Sequence, residues 1–148
     1  MFNTVKKRGA IVLALICVLL CNCCIYALAQ DTDIVSVDYN IVRSANANSV
    51  SVKMDIDNAG NVKAIAIVSG RRNTTNIDAT LKLQKYNSKT KKWETLKSWS
   101  KTQKATSTSF NVTHKLSQKG TYRCKLTAKV TNGGKVENES VVSGKKTY

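Results

Sequence analysis

Proline is missing from all 148 residues, histidine occurs once, and four of the five cysteines fall within the first 24 positions. Without proline there is no polyproline segment and no stiff proline-rich linker. The lone His114 and the single later cysteine, Cys124, rule out a His/Cys metal cluster. One cysteine cannot close a disulfide within the chain, so stability has to come from packing and strand pairing. Acidic side chains are also scarce, 9 against 24 Lys and Arg. Beyond the N-terminal stretch, apolar residues nowhere recur at helical spacing, which excludes a helical bundle.

The N-terminal stretch reads as an export signal. Lys6, Lys7 and Arg8 precede an apolar run from Ala10 to Leu20, and Ala27-Leu28-Ala29 closes it with the small residues that a signal peptidase requires. A signal helix over residues 1–29 with cleavage after Ala29 is expected, so that the protein is secreted or associated with the cell envelope. Two rival fates use the same residues: an uncleaved membrane anchor, because the apolar stretch nearly spans a bilayer, and lipid attachment at Cys23, which Leu20 precedes by three positions.

Residues 30–148 have the length of one domain. They carry 21 basic and 9 acidic side chains, a net +12, and residues 77–148 hold 16 of the bases against 4 acids. Such a field attracts polyanions without specifying one. Most of these cations are lysines, hydrated point charges; Arg43, Arg71, Arg72 and Arg123 alone can make planar bidentate contacts to phosphate. Weak, salt-sensitive association is expected.

Alternation with period two recurs along this domain. Val50, Val52, Met54 and Ile56 point one way and Ser51, Lys53, Asp55 and Asp57 the other, before a turn at residues 58–61. Further strands are expected at 34–42, at 62–69 (apolar enough to be covered on both faces), at 77–86 with Ile77, Ala79, Leu81 and Leu83 inward, and at 93–101, 107–116, 120–131 and 136–143. The last two are joined by Asn132-Gly133-Gly134, a hairpin signal because these residues accept positive φ. About seven or eight short strands at this spacing make an antiparallel sandwich or barrel.

Gly120-Thr121-Tyr122-Arg123-Cys124 is similar to the start of strand F in immunoglobulin-like domains, where a tyrosine two residues before a cysteine hydrogen-bonds back to the preceding turn. This likeness implies an Ig-like or fibronectin-like sandwich, although Cys124 has no partner for the disulfide of antibody domains. Leu83-Gln84-Lys85, Trp93 and Trp99 six apart, Lys119 to Arg123, and the Gly-Gly hairpin leading to Glu137 and Glu139 also resemble a family of small exported proteins of Gram-positive bacteria whose function is not established. That resemblance implies an exported Ig-like module and supplies no catalytic residue.

Candidate chemistry is thin. His114 lies in phase with Phe110, Val112 and Leu116, which makes it a core or strand-end residue, and Cys124 sits mid-strand among apolar neighbours, where a thiolate is disfavoured. Residues 55–60 faintly resemble a calcium loop, but Ala59 and Ala66 fall where ligands are needed. Glu137 and Glu139 read as a solvated strand face. There is no phosphate-binding glycine loop and no nucleophile elbow. No enzyme activity, cofactor, metal or small-molecule substrate is expected.

Trp93 and Trp99 are the residues most open to two readings. Strict alternation puts both on one face. Burying two indoles outweighs burying Leu96 alone, and a bulge between them would even let Trp93, Leu96 and Trp99 all face inward. If Leu96 is inward instead, the indoles lie outside beside Lys82, Lys85, Tyr86, Lys97, Arg123 and Lys125, a basic aromatic face able to stack sugars or bases. Lys89, Lys91 and Lys92 crowd the neighbouring turn, where they also discourage edge-to-edge aggregation. The function expected is a non-catalytic Ig-like binding module held by these cations to an anionic cell-wall polymer or a membrane surface. Nonspecific nucleic acid is a further possible partner. The alternative is a secreted effector or matrix protein that grips a protein through Trp93, Trp99 and Tyr86.

Overall fold

A computed structural model describes residues 40–148; the expected signal helix, and residues 34–39 of the expected first strand, lie outside this range. Nine strands make two antiparallel sheets with no helix among the described residues. In chain order they are β1 (Asn40–Val42), β2 (Ala47–Ile56), β3 (Asn61–Gly70), β4 (Thr74–Asn87), β5 (Lys92–Gln103), β6 (Ser107–Lys115), β7 (Thr121–Asn132), β8 (Lys135–Val142) and β9 (Lys146–Thr147). One sheet runs β1-β2-β3-β6, and the other β5-β4-β7-β8 with β9 continuing beside β7. The second order is that of the C′, C, F and G strands, and β2-β3-β6 takes the places of A, B and E. The architecture is a fibronectin-like sandwich with an added N-terminal strand.

Alternation determines the core. Val50, Val52 and Met54 of β2, Val62, Ala64, Ala66 and Val68 of β3, Ile77, Ala79, Leu81 and Leu83 of β4, and Tyr122, Cys124, Leu126 and Val130 of β7 are all buried between the sheets. Each belongs to the half of its strand that the pleat points inward. Val62–Ser69 departs from the expected double cover: Ile65 is half-buried and Ile67 is 40% exposed. A two-layer sandwich leaves its outer faces to solvent, and β-branched side chains suit an exposed pleat as well as a buried one.

Two hydrogen-bonded ends close the molecule. At one end Asp57 caps the β2–β3 turn, its Oδ1 accepting the Asn61 N–H at 2.7 Å and its Oδ2 the Asn61 side-chain amide at 2.7 Å. Gly60 in that turn has φ +79°, and a Cβ there would run into the Tyr148 ring. Tyr148 is itself held to Gly120 by reciprocal backbone hydrogen bonds of 3.0 and 3.1 Å. At the other end Gly133 and Gly134, with φ of +55° and +79°, form a two-residue turn that pairs Asn132 with Lys135. The hairpin is therefore Gly-Gly at its tip, one residue later than an Asn-Gly turn.

The same end corrects the reading of Glu137 and Glu139 as a solvated face. Glu137 is half-buried and Glu139 is 9% exposed, and both share the inward parity of Val141. Glu137 Oε2 accepts the Asn46 N–H at 2.6 Å and the Ser44 hydroxyl at 2.9 Å. The residues joining β1 to β2 thereby strap over β8, and Asn40 Nδ2 donates to the Val142 carbonyl at 2.5 Å along the same open side.

Tyr122 confirms the corner expected from its sequence context. Its ring is 1% exposed and its hydroxyl donates to the Gln118 carbonyl, four residues back, at 2.6 Å.

Candidate basic face

The outward side chains of β4, β5 and β7 make the candidate site, and a bulge in β5 decides its membership. Gln84 pairs with Thr95 and Leu83 with Lys97, so Leu96 is the extra residue. A bulge shifts the pleat by one position and reverses which face the residues beyond it take. Trp93, before it, lies outward opposite Tyr86, whereas Trp99, after it, lies inward opposite Leu81. Neither expectation for the tryptophans holds: they are neither both buried nor both exposed. Trp99 packs against the core and meets His114 edge-on at 6.4 Å between centroids. The displaced Leu96 is 47% exposed. The smaller side chain is left in water, and the larger indole covers the gap between β5 and β6.

Trp93 is held in an intramolecular stack. The Arg123 guanidinium sits 4.1 Å from the centre of its ring, and Tyr86 packs at 5.2 Å with a 52° tilt. Arg123 Nε also donates to Gln84 Oε1 at 3.0 Å. Burial under these neighbours lowers the Arg123 pKa from its ordinary value. A cation–π contact of this kind contributes about 0.5–2 kcal/mol. One face of the indole is thus already occupied by Arg123 and is not free to stack on a sugar or base.

Lys82 lies beside this stack and directly opposite Lys125 in the β4–β7 register. Two like charges facing each other across a strand pair cost folding energy, on the order of 0.2–1 kcal/mol. The nearest acid on this face, Asp78, pairs with Lys129 four residues further along both strands. Arg123, Lys125 and Lys129 then mark one outward row along β7, separated only by Thr127. Among the described residues one ion pair forms, Lys146 to Asp55 at 3.7 Å, and it involves none of them.

The other expected residues scatter. Lys97 and Trp99 fall past the bulge on the inward side of the edge strand. Lys85 also takes inward parity, and its amine donates to Gln118 Oε1 at 2.6 Å. Lys89 and Lys91 occupy the β4–β5 turn and Lys92 begins β5, all three exposed. Asn87 Oδ1 accepts the Lys89 and Thr90 N–H groups at 3.0 and 3.2 Å, and Lys91 takes φ +55° to close the turn.

Three features escaped the sequence reading. Lys129 shares the outward parity of Arg123 and Lys125, a signal that alternation carries. Gln84, which links Arg123 to the Thr95 hydroxyl at 3.5 Å, needed the register. So did a shallow groove of about 380 Å³ on the same face, whose outward lining includes Thr80, Ser100, Lys125, Thr127 and Ser140, with Lys129 opposite Asp78 at one end. Thr80 and Ser100 exchange a 2.9 Å hydroxyl hydrogen bond in its floor, and the Thr127 hydroxyl donates to the Thr80 carbonyl at 3.4 Å.

The potential nucleophile is sealed. Cys124 is fully buried, and burial pushes its thiol up to about 12, which disfavours the thiolate at neutral pH. No family model, curated protein or solved structure matches this chain.

Proposed function

We propose that the protein is an exported, non-catalytic binding module that associates electrostatically with anionic polymer or lipid headgroups of the cell envelope. The observation that carries the reading is the Lys82–Lys125 pair. The fold sets two ammonium groups opposite each other without an acid between them, beside Arg123 and within the half of the domain that holds its entire net charge. A bound anion relieves that repulsion, so binding energy and folding energy draw on the same contact. The charged N-terminus and apolar run of residues 1–29 support export.

A protein partner gripped by Trp93, Trp99 and Tyr86 together has less support, because the bulge separates Trp99 from the other two. Retention of residues 30–148 on anionic wall polymer and on anionic vesicles, each titrated with salt, tests the proposal. Retention at low ionic strength that fades as the Debye length shrinks to about 10 Å near 0.1 M salt supports it. No retention at low salt, or retention insensitive to salt, overturns it.

A further inference from the structure

The groove beside the lysine pair narrows the class of anion. We infer that its ligand is an extended, hydroxyl-bearing polyanion, a polyol phosphate or acidic glycan, lying along β7, and not a membrane surface. This inference rests on the anion-binding reading above and adds the chemistry and direction of the ligand.

Three observations carry it. The first is the linear arrangement of charge. Arg123 and Lys125 stand two residues apart on one face of a strand, about 7 Å, and Lys129 stands four residues on, at about 14 Å. Lys82 doubles the row at Lys125. A straight, widely spaced row fits a chain whose charges recur along its length, whereas a single phosphate engages one or two of these groups.

The second is the lining. Between Lys125 and Lys129 the groove presents the hydroxyls of Thr80, Ser100, Thr127 and Ser140. A hydroxyl both donates and accepts, so this strip complements the hydroxyls of a sugar or polyol placed between two charged groups. A bare polyanion leaves it unused. The third is shape and polarity. Surface-binding modules enter a bilayer with apolar or aromatic side chains. Here the aromatic pair Tyr86 and Trp93 lies at the end of the row, with Trp93 stacked on Arg123, and the groove is lined by no aromatic residue and by no apolar residue larger than alanine.

Binding of residues 30–148 to three probes separates the possibilities: poly(glycerol phosphate), inorganic polyphosphate of matched charge, and phosphatidylglycerol vesicles. Two variants accompany the parent protein, Lys125→Gln/Lys129→Gln and Thr127→Val/Ser140→Ala, and circular dichroism and thermal melting establish that each is folded. Ser140→Ala alone serves as a second groove variant, since Ser140 is an exposed residue on β8. The expected result is that the lysine variant weakens binding to both soluble polyanions, while the hydroxyl variants weaken only poly(glycerol phosphate), by about three- to tenfold for one or two lost hydrogen bonds. Equal binding of polyphosphate and poly(glycerol phosphate), with no effect of the hydroxyl variants, overturns the inference and leaves the anion-binding reading standing. So does a preference for the vesicles. Failure of all three probes at low salt removes the anion-binding reading itself.

Discussion

At Tyr122 a single side chain joins a loop to the core. Its ring fills the space between the sheets and its hydroxyl donates to the Gln118 carbonyl in the preceding turn. Tyr122→Phe keeps the packing and removes only the hydrogen bond. A loss of about 0.5–1.5 kcal/mol is expected, the net contribution of one hydrogen bond. Urea denaturation followed by tryptophan fluorescence measures it, and a variant as stable as the parent would show the corner to be incidental. Cys124, two residues on, contributes as a small apolar side chain. Its thiol is fully enclosed, and the Ser143 hydroxyl and the Cys124 N–H share a 2.9 Å hydrogen bond where β8 gives way to β9.

Among the elements, β5 shows how one extra residue can reassign a surface. Its bulge at Leu96 turns Trp93 to the outer face and Trp99 to the core, and Lys101 beyond it reaches across the sandwich to the Ser109 carbonyl at 2.5 Å. Lys101 also lies 5.2 Å over the Phe110 ring, so this edge strand is tied to β6 of the opposite sheet. Trp93 and Trp99 are six residues apart, so deleting Leu96 leaves them five apart, and strict alternation then keeps them on opposite faces in the register they already have. The Trp99–His114 contact and the Trp93–Arg123 stack are therefore expected to survive the deletion. Acrylamide quenching should still separate two tryptophan environments in the deletion variant. A single environment would mean that β5 changes its register along β4 when the bulge is removed.

For the molecule as a whole, acid sensitivity is concentrated at the two ends. Asp57 accepts the Asn61 side-chain amide and then its backbone N–H at one end, Glu137 accepts the Asn46 N–H at the other, and those hydrogen bonds lower both carboxyl pKa values. A carboxyl whose pKa is depressed by folding adds stability that is fully present above its ordinary value and fades as pH falls through the folded one. Stability is therefore expected to decline below about pH 4.5, starting from the ordinary values of 3.8 for Asp57 and 4.5 for Glu137. The growing positive charge of an already basic protein adds to the loss. Asp57→Asn and Glu137→Gln should each be less stable than the parent at neutral pH and show a flatter decline in acid. Chemical denaturation between pH 3 and 7 measures both effects, and variants with the parent's slope would count against this origin.

Much of this architecture was legible in the order of residues, because a strand's pleat has period two and every inward set on β2, β4 and β7 follows it. The Tyr122 corner was legible too, since it depends on a short run of turn and strand residues. Likewise the concentration of lysine after residue 76 is a property of composition. Tertiary structure alone decided which of those lysines share a surface. Lys82 faces Lys125 only because β4 and β7, distant in the chain, pair in one register, and Trp93 parts from Trp99 only because β5 carries one residue more than its partner strand. Period two predicts the face a side chain takes until a bulge intervenes, and the place of a bulge is set by the strand across from it.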